Sequence, residues 1–291
     1  MFRFYDLKYM TQEQLRQIQN VQLDIMNDIH RVCIEQGYRY YLIGGSALGA
    51  VRHKGIIPWG VDIDIAMPRK DYQMFINNGS SFLKKGLTIH TYETDKEFPQ
   101  VHALVCLDNS ILKCKSDIMG MYGIYVDVLP LDQWPDDESL KIKQQKALEK
   151  IKFWRSLRFG LRYGGTSLAK AIIKKITKII LLPFVSKYYL NKKQQEIMMR
   201  YDTEDEGKIW CSMVSHYSYE KKTYPKSYFG KPRLMAFSGY NFFVPERVED
   251  YLKHLFGDYM QLPPKESQIK QMNSVLFASW NDANGNIVMI K

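Results

Sequence analysis

Between Val61 and Met67 the chain alternates aspartate with apolar residues, VDIDIAM, and no other stretch constrains the fold as tightly. A period of two belongs to a half-buried strand, so Asp62 and Asp64 are predicted to leave it on the same face. Carboxylates held side by side repel unless a cation sits between them. Hard oxygen ligands in this arrangement suit Mg²⁺ or Mn²⁺, which keep waters and accept phosphate oxygens as further ligands. A second acidic run, YVDVLPLD at 125–132, places Asp127 in an apolar, strand-like setting. An unpaired carboxylate is costly to bury there, so Asp127 is the expected third metal ligand, delivered by a neighbouring strand. Asp132, just after Pro130, reads instead as a turn or cap residue.

The surrounding elements follow from local pattern. Thr11-Gln12-Glu13-Gln14 forms a capping box, and an apolar stripe from Leu15 to Val32 predicts a helix that Gly37 stops. Tyr38 to Ile43 is β-rich, Gly44-Gly45-Ser46 breaks it into a turn, and Ser46 to His53 reads as a short helix. Glycines let phosphate approach a backbone, and a helix N-terminus favours negative charge, so Gly44, Gly45 and Ser46 are candidate phosphate-binding residues. Arg52 and His53, with Lys54, could hold further phosphate oxygens. Leu87–Tyr92, Val101–Leu107 and Gly123–Leu129 are further strand candidates, and helices return from about Asp137, with a Gly164-Gly165 break and a Pro183 kink. Each feature has a plainer reading: a solvated Asp-x-Asp, a dipole-favoured basic helix end, a Trp59 that packs in the core rather than under a base. Their conjunction fits metal-assisted attack at a nucleotide phosphorus, on an α/β or α+β core with a helical appendage.

Charge divides the chain. The 291 residues carry a formal net charge of +10, yet Lys141 to Arg200 alone holds 16 lysines and arginines against Glu149 and Glu196. On a helical projection Leu168, Ile172, Ile173, Ile176, Ile179 and Ile180 share one half, with Lys170, Lys174, Lys175 and Lys178 on the other. A basic amphipathic helix of this kind lies on an anionic membrane surface, or packs on a core with its lysines outward. Nucleic acid is not the expected partner, because no nucleic-acid module accompanies the charge. Cys33, Cys106, Cys114 and Cys211 have neither disulfide-frame nor metal spacing and read as thiols of a reducing compartment. No secretory signal and no membrane span are expected.

The run IGGSALGAVRHKGIIPWGVDIDIAMPRKDYQMF, together with YVDVLPLD and FFVPERVEDYLKHLFGDYMQLPP at 242–264, closely resembles the signature of the LicD-type phosphotransferase family. That resemblance implies an α+β, nucleotidyltransferase-like mixed β-sheet flanked by helices, here with a basic helical insertion. It divides the chain into a catalytic core at 1–136, the insertion at 137–205 and a C-terminal part at 206–291 that completes the catalytic domain. Carried over, Asp62, Asp64 and Asp127 fall on the family's metal carboxylates, and Gly45 and Ser46 on its phosphate turn. The implied activity is transfer of a phospho-alcohol, phosphocholine from CDP-choline first, to a hydroxyl of a cell-surface glycan or its lipid-linked precursor. The implied place is the inner face of the cell membrane, held peripherally. The sequence departs from the family at Gly60-Val61, where Asp-Asp is usual. Two alternatives therefore stand beside this expectation: a true nucleotidyltransferase that moves a nucleoside monophosphate, and an inactive, membrane-docked paralogue.

Overall fold

The computed structural model describes residues 10–115, 122–159, 185–202 and 207–290. Helix α1 (Gln12–Gln36) opens on the expected capping box: the Gln14 N–H donates to Thr11 Oγ1 at 3.2 Å, and the Thr11 N–H to Gln14 Oε1 at 2.9 Å. It ends where Gly37 takes a left-handed φ of 70°. Its apolar stripe is buried in the main core against β-strand residues such as Ile65, Val126 and Val128.

Strand β1 is shorter than the β-rich run suggests and holds only Tyr41–Leu42; helix α2 (Gly44–His53) starts two residues before Ser46. Strand β2 (Asp64–Pro68) leads into α3 (Arg69–Asn78), then β3 (Leu87–His90), β4 (Ala103–Leu107) and β5 (Ile111–Cys114). Strand β6 (Tyr125–Trp134) is the long central strand, followed by α4 (Glu138–Phe159) and α5 (Lys187–Met198). Next come β7 (Ile209–Cys211), one-turn helix α6 (Tyr219–Lys222), β8 (Thr223–Pro225) and a second one-turn helix, α7 (Lys226–Phe229). The chain closes with hairpin β9 (Arg233–Phe237) and β10 (Tyr240–Val244), helices α8 (Val248–Phe256) and α9 (Lys265–Met272), and strands β11 (Val275–Asn281) and β12 (Ile287–Ile290).

The principal sheet is mixed, in the order β1-β2-β6-β4-β3, with β2 parallel to β6 and the other pairs antiparallel. Helices flank it, as expected. The far half of β6 changes partner: β4 pairs with Tyr125 to Val128, and β7 pairs with Asp132 to Trp134. Pro130 lies between the two ladders. Asp127 donates its N–H to Ile63 on the β2 side, so alternation turns residue 130 the other way, into the gap, where proline has no donor to satisfy. A proline in the central strand thus marks a seam.

Asp132 corrects the turn-or-cap expectation. It is fully buried within β6, and the Arg69 Nε donates to its Oδ1 at 2.6 Å. Burial pushes this carboxyl up to about 6 while Arg69 pulls it down. The pair ties α3 to the sheet. Helices α4 and α5 pack on each other around Leu148, Ile151, Leu190 and Ile197, with Trp134 at their base. The amphipathic stretch from Leu168 to Ile180, with Gly164-Gly165 and Pro183, lies outside the described residues. No disulfide joins the four cysteines, and Cys33, Cys106 and Cys211 are buried. Among the described residues, no helix is long and apolar enough to cross a membrane.

Candidate active site

The site forms where β2 and β6 run parallel. Asp64 opens β2 directly opposite Asp127 of β6, so the two side chains share a face. Asp62 lies just before the ladder rather than within it. Its approach is fixed by α1: Gln19 Nε2 donates to Gly60 O at 2.8 Å, and Gln22 Nε2 to Val61 O at 2.9 Å. The three carboxylates each present an oxygen, all within 4.8 Å of one another. Burial, then the charge of Asp127, pushes Asp62 up to about 6; burial and both neighbours push Asp64 well above the usual carboxylate range. Three acids this close do not all ionise without a counter-charge. A hard divalent cation fits this all-oxygen donor set, with Asp62, Asp64 and Asp127 as its holders.

The glycine turn lies against the acids. Gly44 takes a left-handed φ of 52°, and a side chain there would begin 3.7 Å from Asp64 Oδ2. Its N–H donates to the Tyr251 hydroxyl at 2.8 Å. Ser46 is buried, and its Oγ accepts the Asp64 N–H at 2.9 Å, which locks the turn to the strand. Gly45 is exposed, with open space where a Cβ would stand. Arg52 reaches the C-terminal loop, where Nη1 donates to Tyr259 O at 2.7 Å and Gln261 O at 3.1 Å. His53 packs edge-on against Trp59, ring centroids 5.6 Å apart, and does not line the clefts described below. Tyr251, Tyr259 and Gln261 all belong to the C-terminal motif, so both ends of the chain build this corner.

Three adjoining clefts meet at the site, and two of them are lined by the acids themselves. One of about 620 Å³ holds Gly45, Arg52, Trp59, Asp62 and Asp64. One of about 970 Å³ holds His102, Lys152, Arg155 and Lys222. A smaller space of about 240 Å³ joins them past Gly45, Asp64, His102 and Asp127. His216 and Tyr217 wall all three. Burial, then the charges of Asp64 and Asp62, raises the Tyr217 hydroxyl above its ordinary value.

His102 is a site residue that sequence reasoning misses. Its Nε2 is 2.8 Å from Asp127 Oδ1, and its Nδ1 is buried with no hydrogen-bond partner among the described residues. Only the pairing of β4 with β6 brings it there, and no local motif announces it. At position 60, where the usual carboxylate is lacking, a Cβ would meet Ile57 O at 3.0 Å, with Ile56 and Ile57 side-chain atoms next nearest at 3.5 Å.

A mixed sheet flanked by helices, with a glycine turn set against its acidic edge, defines the nucleotidyltransferase-like class. Residues 37–153 match the family model described as LicD/FKTN/FKRP, nucleotidyltransferase domain. Over 264 residues it is 29% identical to the lipopolysaccharide cholinephosphotransferase LicD of Haemophilus influenzae, covering 87% of this chain and 94% of that protein. It is 54% identical over 35 residues to the ribitol 5-phosphate transferase FKRP of Homo sapiens, covering 12% of this chain and 7% of that protein. An uncharacterised protein of Rickettsia prowazekii, RP689, is 25% identical over 120 residues, 38% of this chain and 39% of that one.

Proposed function

We propose that the chain is a metal-dependent phosphotransferase. It moves a phospho-alcohol, phosphocholine in the first instance, from a CDP-activated donor to a hydroxyl of a cell-surface glycan or its lipid-linked precursor. The observation that carries this reading is the convergence of Asp62, Asp64 and Asp127 beside the Gly44–Ser46 turn, in a chain similar along most of its length to a cholinephosphotransferase. A divalent cation held by those carboxylates would supply positive charge to phosphate oxygens. Mg²⁺ or Mn²⁺ suits the donor set.

The chain's own residues divide the remaining work. The exposed Gly45 and the start of α2 receive the donor's diphosphate, and Trp59 offers a ring face to its base in the cleft that also holds Arg52. The acceptor hydroxyl enters from the other side, where Asp127 takes its proton and His102 orients that carboxylate through their hydrogen bond. CMP departs and a phosphodiester is left on the glycan. The three carboxylates converge without an acid at position 60, which supports an active enzyme over an inactive paralogue. The anionic inner face of the cell membrane is the proposed place of work, motivated by the basic 141–200 segment.

The test is CMP release from CDP-choline, CDP-ribitol and CDP-glycerol with Mg²⁺. Metal-dependent CMP release supports the reading, and pyrophosphate release from CTP instead would make the chain a nucleotidyltransferase.

A further inference from the structure

The 970 Å³ cleft carries a charge arrangement that donor binding on the other side leaves without a task. Lys222 is 2% exposed, and its Nζ stands 3.8 Å over the Tyr219 ring. Lys152, from α4, lies in side-chain contact with it. Arg155, one turn further along α4, is buried and, among the described residues, donates to neutral groups: Asn191 Oδ1, Gln194 Oε1 and Pro99 O. Against these three cations stands Glu149, whose charge acts on both lysines. Glu138 and Glu220 occupy the exposed rim, and Glu138 already pairs with Lys141. Burial, then the neighbouring ammonium, pulls Lys222 down to about 8. Like charges pressed together out of water are expensive unless an anion joins them.

We propose that Lys152 and Lys222 form an anion site for a phosphate group on the acceptor, set apart from the donor's diphosphate. The proposal rests on the phosphotransferase reading for the word acceptor, though the anion site itself does not. The placement supports the acceptor side. His102 lines this cleft and holds Asp127 at 2.8 Å, so a phosphate anchored at the lysines leaves a neighbouring hydroxyl of the same molecule facing that carboxylate. The glycan this site selects is therefore a phosphorylated one.

The experiment begins with the full chain, freed of divalent cations by EDTA, titrated calorimetrically with inorganic phosphate. We expect saturable binding that weakens about tenfold in Lys152→Gln and is retained in Lys152→Arg, which keeps the charge. Lys152 is half-buried, so this pair avoids the folding risk at Lys222. Phosphate that never saturates, or that binds wild type and Lys152→Gln alike, overturns the site. A kinetic arm follows with phosphorylated and dephosphorylated acceptors at saturating CDP-choline. A raised KM for the phosphorylated acceptor alone in Lys152→Gln supports the assignment. A raised KM for CDP-choline, measured at saturating acceptor, instead overturns it and gives the lysines to the donor. Charge-dependent phosphate binding without CMP release from any CDP donor would keep the anion site and remove the phosphotransferase reading.

Discussion

At the scale of single residues, Asp62 carries a cost that only a cation removes. Its carboxyl titrates near 6 in the folded chain against an ordinary 3.8, so between those values the folded state binds more protons than the unfolded one. Metal-free stability therefore falls as pH rises from about 4 to about 6 and stays low above that. Asp62→Asn should melt a few degrees higher than wild type at pH 7 in EDTA, a gain on the order of 1 kcal/mol that shrinks toward pH 4. Added Mg²⁺ should raise the wild-type melting temperature and leave the variant where it was, while the variant releases no CMP. A variant less stable than wild type under all these conditions would contradict the cluster's strained charge. Asp127→Asn should lose at least about 10²-fold in transfer rate and recover little at high Mg²⁺, because its proton-accepting role stays missing. Full rescue by metal would make Asp127 a ligand only. Asp62, Asp64 and Asp127 are visible in the sequence because a strand-like pattern with acids in it is physically costly. His102 and the Lys152–Lys222 pair are not, since each is ordinary in its own segment and meets its partner only through the fold.

At the scale of elements, the turn after α2 is held by the β9–β10 hairpin. Ser238 donates its N–H to Lys54 O at 2.8 Å, and its Oγ accepts the Ile56 N–H at 3.1 Å. A Cβ on Gly55 would stand 2.3 Å from that hydroxyl. Gly55→Ala should therefore cost about 1–3 kcal/mol in urea unfolding. Ser238→Gly in the same chain should return part of it, since Ser238 already holds a left-handed φ of 50°. Strict additivity of the two changes would show that the contact does not limit the fold. Local rules recover α1 with its cap and the strand–turn–helix of the site, because those elements are decided by neighbours in sequence. They miss the buried Asp132, whose place follows from Arg69 on another element, and they overextend β1, whose length is set by its short overlap with β2. The strands β7 to β12 are mostly three to five residues long, too short for a periodicity to mark them, and β7 and β11 also draw partners from the distant β6 and β5.

At the scale of the whole molecule, charge and substrate access decide behaviour. The 141–200 segment concentrates the positive charge, and the proposed membrane contact is a property of its lysines. Replacing Lys170, Lys174, Lys175 and Lys178 with glutamine should weaken co-sedimentation with anionic liposomes, at about 1 kcal/mol per lysine. Unchanged binding would end the membrane assignment. The shared wall of His216 and Tyr217 has a kinetic consequence. Two clefts that share this wall and meet at the small space beside the acids admit donor and acceptor together, so transfer in the proposed enzyme passes through a ternary complex without an enzyme-bound phosphoryl group. Initial-rate plots at several fixed acceptor concentrations should then intersect rather than run parallel, and a donor made chiral at its transferred phosphorus should yield product of inverted configuration.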